Sequence, residues 1–104
     1  MIVINNQEEM KLYYNEKINM YLFNDDVKFI CDIVVDSGIN AWDINALDIK
    51  ALDIKAENIN ANNISFYSVC FARETFVCES IEGIRENSKY FCLDSEVVIK
   101  SQKS

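Results

Sequence analysis

The chain has 104 residues and a mass of 12.0 kDa, enough for one hydrophobic core and not two. Its 10 basic and 17 acidic side chains leave a net charge of -7, which argues against nucleic-acid binding through a basic footprint. The absence of His removes imidazole bases and His-ligated metals, and two Gly without any Pro cannot build a Gly-rich phosphate loop.

The first residues, Met1-Ile2-Val3-Ile4-Asn5-Asn6, lack the basic start and long apolar run of a signal peptide. No segment reaches the roughly 18 apolar residues of a membrane span, so no membrane contact is expected. Asn6-Gln7-Glu8-Glu9 reads as an N-cap with Glu at the third helical position, opening a short helix to about Lys17. Ile18 to Phe23 is apolar and β-rich, and Asn24-Asp25-Asp26 is a turn. Val27, Phe29, Cys31, Ile33 and Val35 then alternate with their neighbours, a strand signal that runs through Asp36-Ser37-Gly38. Residues 1–38 are expected to form an N-terminal α/β cap.

From Ile39 a period of five dominates. The units are Ile39-Asn40-Ala41-Trp42-Asp43, Ile44-Asn45-Ala46-Leu47-Asp48 and Ile49-Lys50-Ala51-Leu52-Asp53, then Ile54-Lys55-Ala56-Glu57-Asn58, Ile59-Asn60-Ala61-Asn62-Asn63 and Ile64-Ser65-Phe66-Tyr67-Ser68. The beat continues through Val69, Phe71, Phe76 and Ile81 to Ile84, so that about nine units fill residues 39–85. On a helix five residues advance about 500°, and the apolar stripe would slip about 140° per unit. A straight strand fails as well, because an odd period changes face at every unit. A chain that turns a corner every five residues fits. Each unit then sends two side chains inward, two positions apart, and the Asp/Asn column (Asp43, Asp48, Asp53, Asn58, Asn63) suits corners.

The C-terminal flank, residues 86–104, holds Tyr90-Phe91-Cys92-Leu93, a turn at Asp94-Ser95 and Glu96-Val97-Val98-Ile99-Lys100. A hairpin or an edge strand is expected to close that end, with a frayed tail after it.

The repeat resembles the pentapeptide-repeat family, over residues 39–85. The resemblance implies a mainly β fold: a short right-handed quadrilateral β-solenoid with four units per coil, an N-terminal helix/strand cap and a C-terminal hairpin cap. On that geometry positions four units apart stack, Ala46 beneath Phe66 and Ala56 beneath Phe76. The sequence departs from the family in placing Ile two before Ala, where the family's unit carries a small residue two before a large one.

Function is less legible. Cys31, Cys70, Cys78 and Cys92 form no Cys-x-x-Cys pair and read as reduced cytoplasmic thiols, with Cys78 in the corner column and expected to be exposed. No metal, cofactor or catalytic group is expected. Trp42, Leu47, Leu52, Tyr67 and Val77 share one column of the repeat, which would face outward as an interface, so a homodimer is expected. Asp43, Asp48, Asp53 and Glu57 would form an acidic surface. Some pentapeptide-repeat proteins resemble B-DNA and occupy DNA sites on topoisomerases. Together with a composition rich in Ile, Asn and Lys, which hints at an AT-rich bacterial or phage genome, the resemblance implies a non-catalytic protein-interaction module. It would inhibit a host DNA-binding enzyme by DNA mimicry, as an anti-CRISPR protein inhibits its nuclease, without touching nucleic acid itself. The alternative is a structural self-assembling solenoid with no enzyme target.

Overall fold

The computed structural model describes residues 1–100; the expected frayed tail, residues 101–104, lies outside the described residues. The chain folds as a mainly β solenoid of about 4 turns. Its strands are β1 (Ile2–Ile4), β2 (Tyr14–Asn15), β3 (Met20–Leu22), β4 (Val27–Phe29), β5 (Ile33–Val34), β6 (Gly38–Asn40), β7 (Asp43–Asn45), β8 (Asp48–Gly83), β9 (Lys89–Cys92) and β10 (Val97–Ile99). A straight strand of β8's 36 residues would run well over 100 Å at about 3.3 Å per residue, against a longest molecular dimension of 41 Å. β8 therefore wraps around the corners.

The register sets the shape of the coil. Ile39 pairs with Ile54 and Ile44 with Ile59, both in parallel, a step of 15 residues. Three five-residue sides make one coil here, where the family resemblance implied four. Three stacks of parallel strands result. The first face holds β1, β4, β7 and the part of β8 around Ile59. The second holds β5 and the part of β8 around Ile49. The third holds β3, β6 and the part of β8 around Ile54, with β2 antiparallel beyond β3. The side chains explain the narrower coil. Ile39, Ile44, Ile49, Ile54, Ile59 and Ile64 all point inward and are buried, as are Ala41, Ala46, Ala51, Ala56 and Ala61. With Ala as the second inward residue of each side, a four-sided lumen would be left underfilled, and interiors pack densely.

Toward the C-terminal end the coil lengthens. Cys70 pairs with Tyr90 at a step of 20 residues, and Phe76 with Val97 at 21. The inward frame also shifts by one after Ser68. Cys70 and Ala72 are buried, while Val69 and Phe71 are only partly covered. The Val69 N–H donates to the Asp53 carboxylate at 3.1 Å. The extra residue acts as a bulge and returns Glu74 and Glu79 to solvent, where the unbroken five-residue frame would have placed them inward. Phe76 keeps its inward place and, after a second one-residue shift, Cys78 is buried with it, so Cys78 is not the exposed corner thiol expected from its column.

The flanks are coils as well as caps. Residues Val27–Val35 split into β4 and β5 on neighbouring faces, joined at a corner at Ile30-Cys31, and both continue the parallel stacks. The expected C-terminal hairpin does not form. β9 and β10 each pair in parallel with β8 and extend its sheet. The reason lies in Ser88 and Ser95, whose hydroxyls donate to the carbonyls of Tyr67 (2.6 Å) and Glu74 (2.7 Å) and hold one more coil in place.

The N-terminal helix starts where its capping signal places it. The Asn6 side chain accepts from the Glu9 N–H, and the Glu9 carboxylate accepts from the Asn5 N–H, one residue before the N-cap. The helix is 3₁₀, spans Gln7–Tyr13 and stops short of Lys17. With about three residues per turn, Gln7, Met10 and Tyr13 share one face. That face seals the end of the lumen. Met10 is buried in the core and Tyr13 stacks on Phe23 with ring centroids 4.6 Å apart.

Candidate functional site: the open C-terminal end

The three-sided coil disperses the predicted interface. Trp42, Leu47 and Leu52 occupy three different corners. The Trp42 carbonyl accepts from Glu57 N–H, the Leu47 carbonyl accepts from Asn62 N–H, and the Leu52 N–H donates to the Ser37 carbonyl. Trp42 and Leu47 are exposed. Leu52 and Tyr67, one 15-residue step apart, are partly buried. The Lys50 ammonium lies 5.8 Å from the centre of the Tyr67 ring. A coil of four sides would have stacked Leu47 under Tyr67; three sides separate them.

The predicted acidic residues are also spread over three corners, and each has a partner. Asp43 and Asp48 accept hydrogen bonds from the amides of Asn58 and Asn63, both at 2.8 Å. These ladders continue upward, because Thr75 donates to Asn58 and Ser80 donates to Asn63. Asp53 accepts from Val69, and Glu57 lies 3.9 Å from Arg73. The Asp/Asn column thus joins one coil to the next.

The four thiols are free and differ in access. Cys70 and Cys78 are buried, Cys31 and Cys92 half-buried. Burial pushes the Cys70 thiol up, with Cys78 adding to it; burial raises Cys78 too, reinforced by Glu79. Among the described residues no group of three or more Cys, Asp or Glu is placed to hold a metal ion, and no helix is long and apolar enough to cross a membrane.

The two ends of the solenoid differ. At the N-terminal end the carboxamide of Gln7 acts as a neighbouring strand would. It donates to the Val34 carbonyl (2.7 Å) and accepts from the Val34 N–H (3.0 Å), satisfying the free edge of β5. The terminal amino group of Met1 pairs with Asp25 at 2.9 Å and, with the Asp26 N–H, holds that carboxyl below the usual range. At the C-terminal end, β9 and β10 pair only with β8 among the described residues. Leu93 N–H bonds to the Ala72 carbonyl, so by strand alternation the N–H groups of Tyr90 and Cys92 point away from β8. The side chains there are apolar. Tyr90 stands in the inward column above Cys70 and touches Phe66 and Phe76, yet is 39% exposed. Phe91 stacks on Phe71 at 4.9 Å and is 42% exposed, and Leu93, Val98 and Ile84 are exposed around them. Sequence reasoning assigned this flank a closing role. The signal it passed over is the aromatic pair Tyr90-Phe91, one ring for each side of the strand, beyond the last Ile of the repeat.

Compared with protein-family models, with curated proteins and with solved structures, the chain finds no significant match.

Proposed function

We propose that the chain is a non-catalytic protein-interaction module whose contact surface is the open C-terminal end. The observation that carries this reading is the contrast between the ends: one sealed by Gln7 and the 3₁₀ helix, the other leaving strand edges and a cluster of Tyr90, Phe91, Leu93 and Val98 uncovered among the described residues. Apolar clusters of this kind rimmed by polar residues mark interaction sites. A cytoplasmic setting belongs to the same reading, since four free thiols suit a reducing compartment. Kinship with the pentapeptide repeats rests on the five-residue period, and the 15-residue coil weighs against it.

Inhibition of a DNA-binding enzyme by mimicry has weaker support, because Asp43, Asp48, Asp53 and Glu57 are dispersed and engaged. The test compares capture of partners from a bacterial lysate by the tagged chain and by its Phe91→Glu and Trp42→Glu variants, with and without excess DNA. Loss of capture in Phe91→Glu and retention in Trp42→Glu is the expected result. Capture that survives Phe91→Glu but is displaced by DNA would transfer the role to the acidic corners.

A further inference from the structure

We infer that the occupant of the open end is a second copy of the chain, joined C-terminal end to C-terminal end as a closed two-fold dimer. This rests on the reading of that end as the contact surface, and it replaces the corner column of Trp42 and Leu47 as the dimer interface.

Three observations favour a like end over any other occupant. The first is charge. Residues 1–38 carry seven acids and three bases, whereas residues 86–104 carry three of each. A strongly basic partner would be drawn to the N-terminal half. Over residues 86–100 each end carries three acids and two bases, so two such ends meet with little net repulsion, and each offers Lys89 and Lys100 to the other's Glu86, Asp94 and Glu96.

The second is closure. A head-to-tail contact would have to seat the C-terminal edge on the N-terminal end, and it would propagate as a fibre. That end offers no continuous edge. Gln7 occupies the edge on the second face, the two-residue antiparallel β2 ends the third, and on the first β1 is three residues long with the 3₁₀ helix against it. Among the described residues the longest of these end strands is β9, with β10 beside it on the next face, and a like C-terminal end matches both.

The third is the state of Tyr90. It stands in a core column, above Cys70 and against two buried Phe rings, but no coil of the described residues covers it. A two-fold axis crossing β9 would run the two β9 strands antiparallel. The free N–H groups of Tyr90 and Cys92 would then meet carbonyls of the partner, and each Tyr90 would be covered by the other copy.

The experiment is sedimentation velocity on the purified chain from low micromolar to several hundred micromolar, with Phe91→Glu, Val98→Lys and Trp42→Glu alongside. Far-UV circular dichroism identifies variants that keep the fold. The expected result is a dimer that does not grow further and changes little with salt. Dissociation should become roughly tenfold or more easier in folded Phe91→Glu and Val98→Lys, and stay unchanged in Trp42→Glu. A monomer at every concentration, growth beyond the dimer, or a dimer broken by Trp42→Glu and not by the other two would overturn the inference. Because no foreign protein is present, a monomer would leave the interaction reading itself standing, and only the lysate comparison can remove that reading.

Discussion

Each inward position of the narrow coil is a single residue with neighbours directly above and below. Ile54 is fully buried between Ile39 and the following coil, so Ile54→Ala should lower unfolding free energy by about 2–5 kcal/mol, read as a shift in the denaturant midpoint. The buried thiols carry a pH prediction. Cys70 and Cys78 have folded pKa values above their unfolded ones, so their neutral forms favour folding fully below the ordinary thiol range, about 8.5. That contribution falls as pH rises through and beyond this range, where the unfolded chain loses protons that the folded chain keeps. Stability measured from pH 7 to 10.5 should therefore decline more steeply in the native chain than in a Cys70→Ala/Cys78→Ala variant. Equal slopes would mean that the two thiols ionise without penalty. At Gly83 the constraint is space. A Cβ would sit 2.5 Å from that of Ser88, whose hydroxyl holds the last coil to the Tyr67 carbonyl.

At the scale of elements, the edges determine which strands stay paired. Gln7 supplies both a donor and an acceptor to Val34, and Gln7→Ala removes both at once. The loss should be about 1–2 kcal/mol, with faster amide exchange at Val34 and no change at Ile54; uniform acceleration would assign Gln7 a global role instead. Much of the element plan was legible. The five-residue period specified a cornered chain, and Asn6 with Glu9 marked the helix start. The number of corners was not legible from the period alone, because three or four sides of five residues both satisfy it. The Ile-x-Ala order held that information, as the volume of the second inward residue, and the reversal from the usual small-then-large order signalled a narrower lumen. The shift after Ser68 left a trace in Glu74 and Glu79, charges that the frame would have buried. The parallel course of β9 and β10 left little trace, since Asp94-Ser95 serves a corner as well as a hairpin turn.

The whole molecule behaves as a stack in which each coil touches only the next, so its stability should sum over coils and interfaces. The repeat unit of that sum is the full coil of 15 residues, not the single unit of five. This distinction can be tested by insertion. Duplicating residues 44–58 in tandem adds one complete coil. Ile44, Ile49 and Ile54 recur on their own faces, Asp43 keeps Asn58 and the second copy of Asp48 keeps Asn63 one coil away, the first Asp48 faces the second, and both caps meet the neighbours they meet now. The longer chain should fold with the same circular dichroism per residue and melt at the native temperature or above. Duplicating only residues 59–63 inserts one side just before the shift. Every later strand then moves to the next face, Val69 no longer lies over Asp53, and Thr75 and Arg73 lose Asn58 and Glu57 in register. That chain should lose most of its cooperative melting transition. A five-residue insertion tolerated as well as the fifteen-residue one would mean that the coils are independent of corner identity, and the three-sided register would not be what holds the stack together.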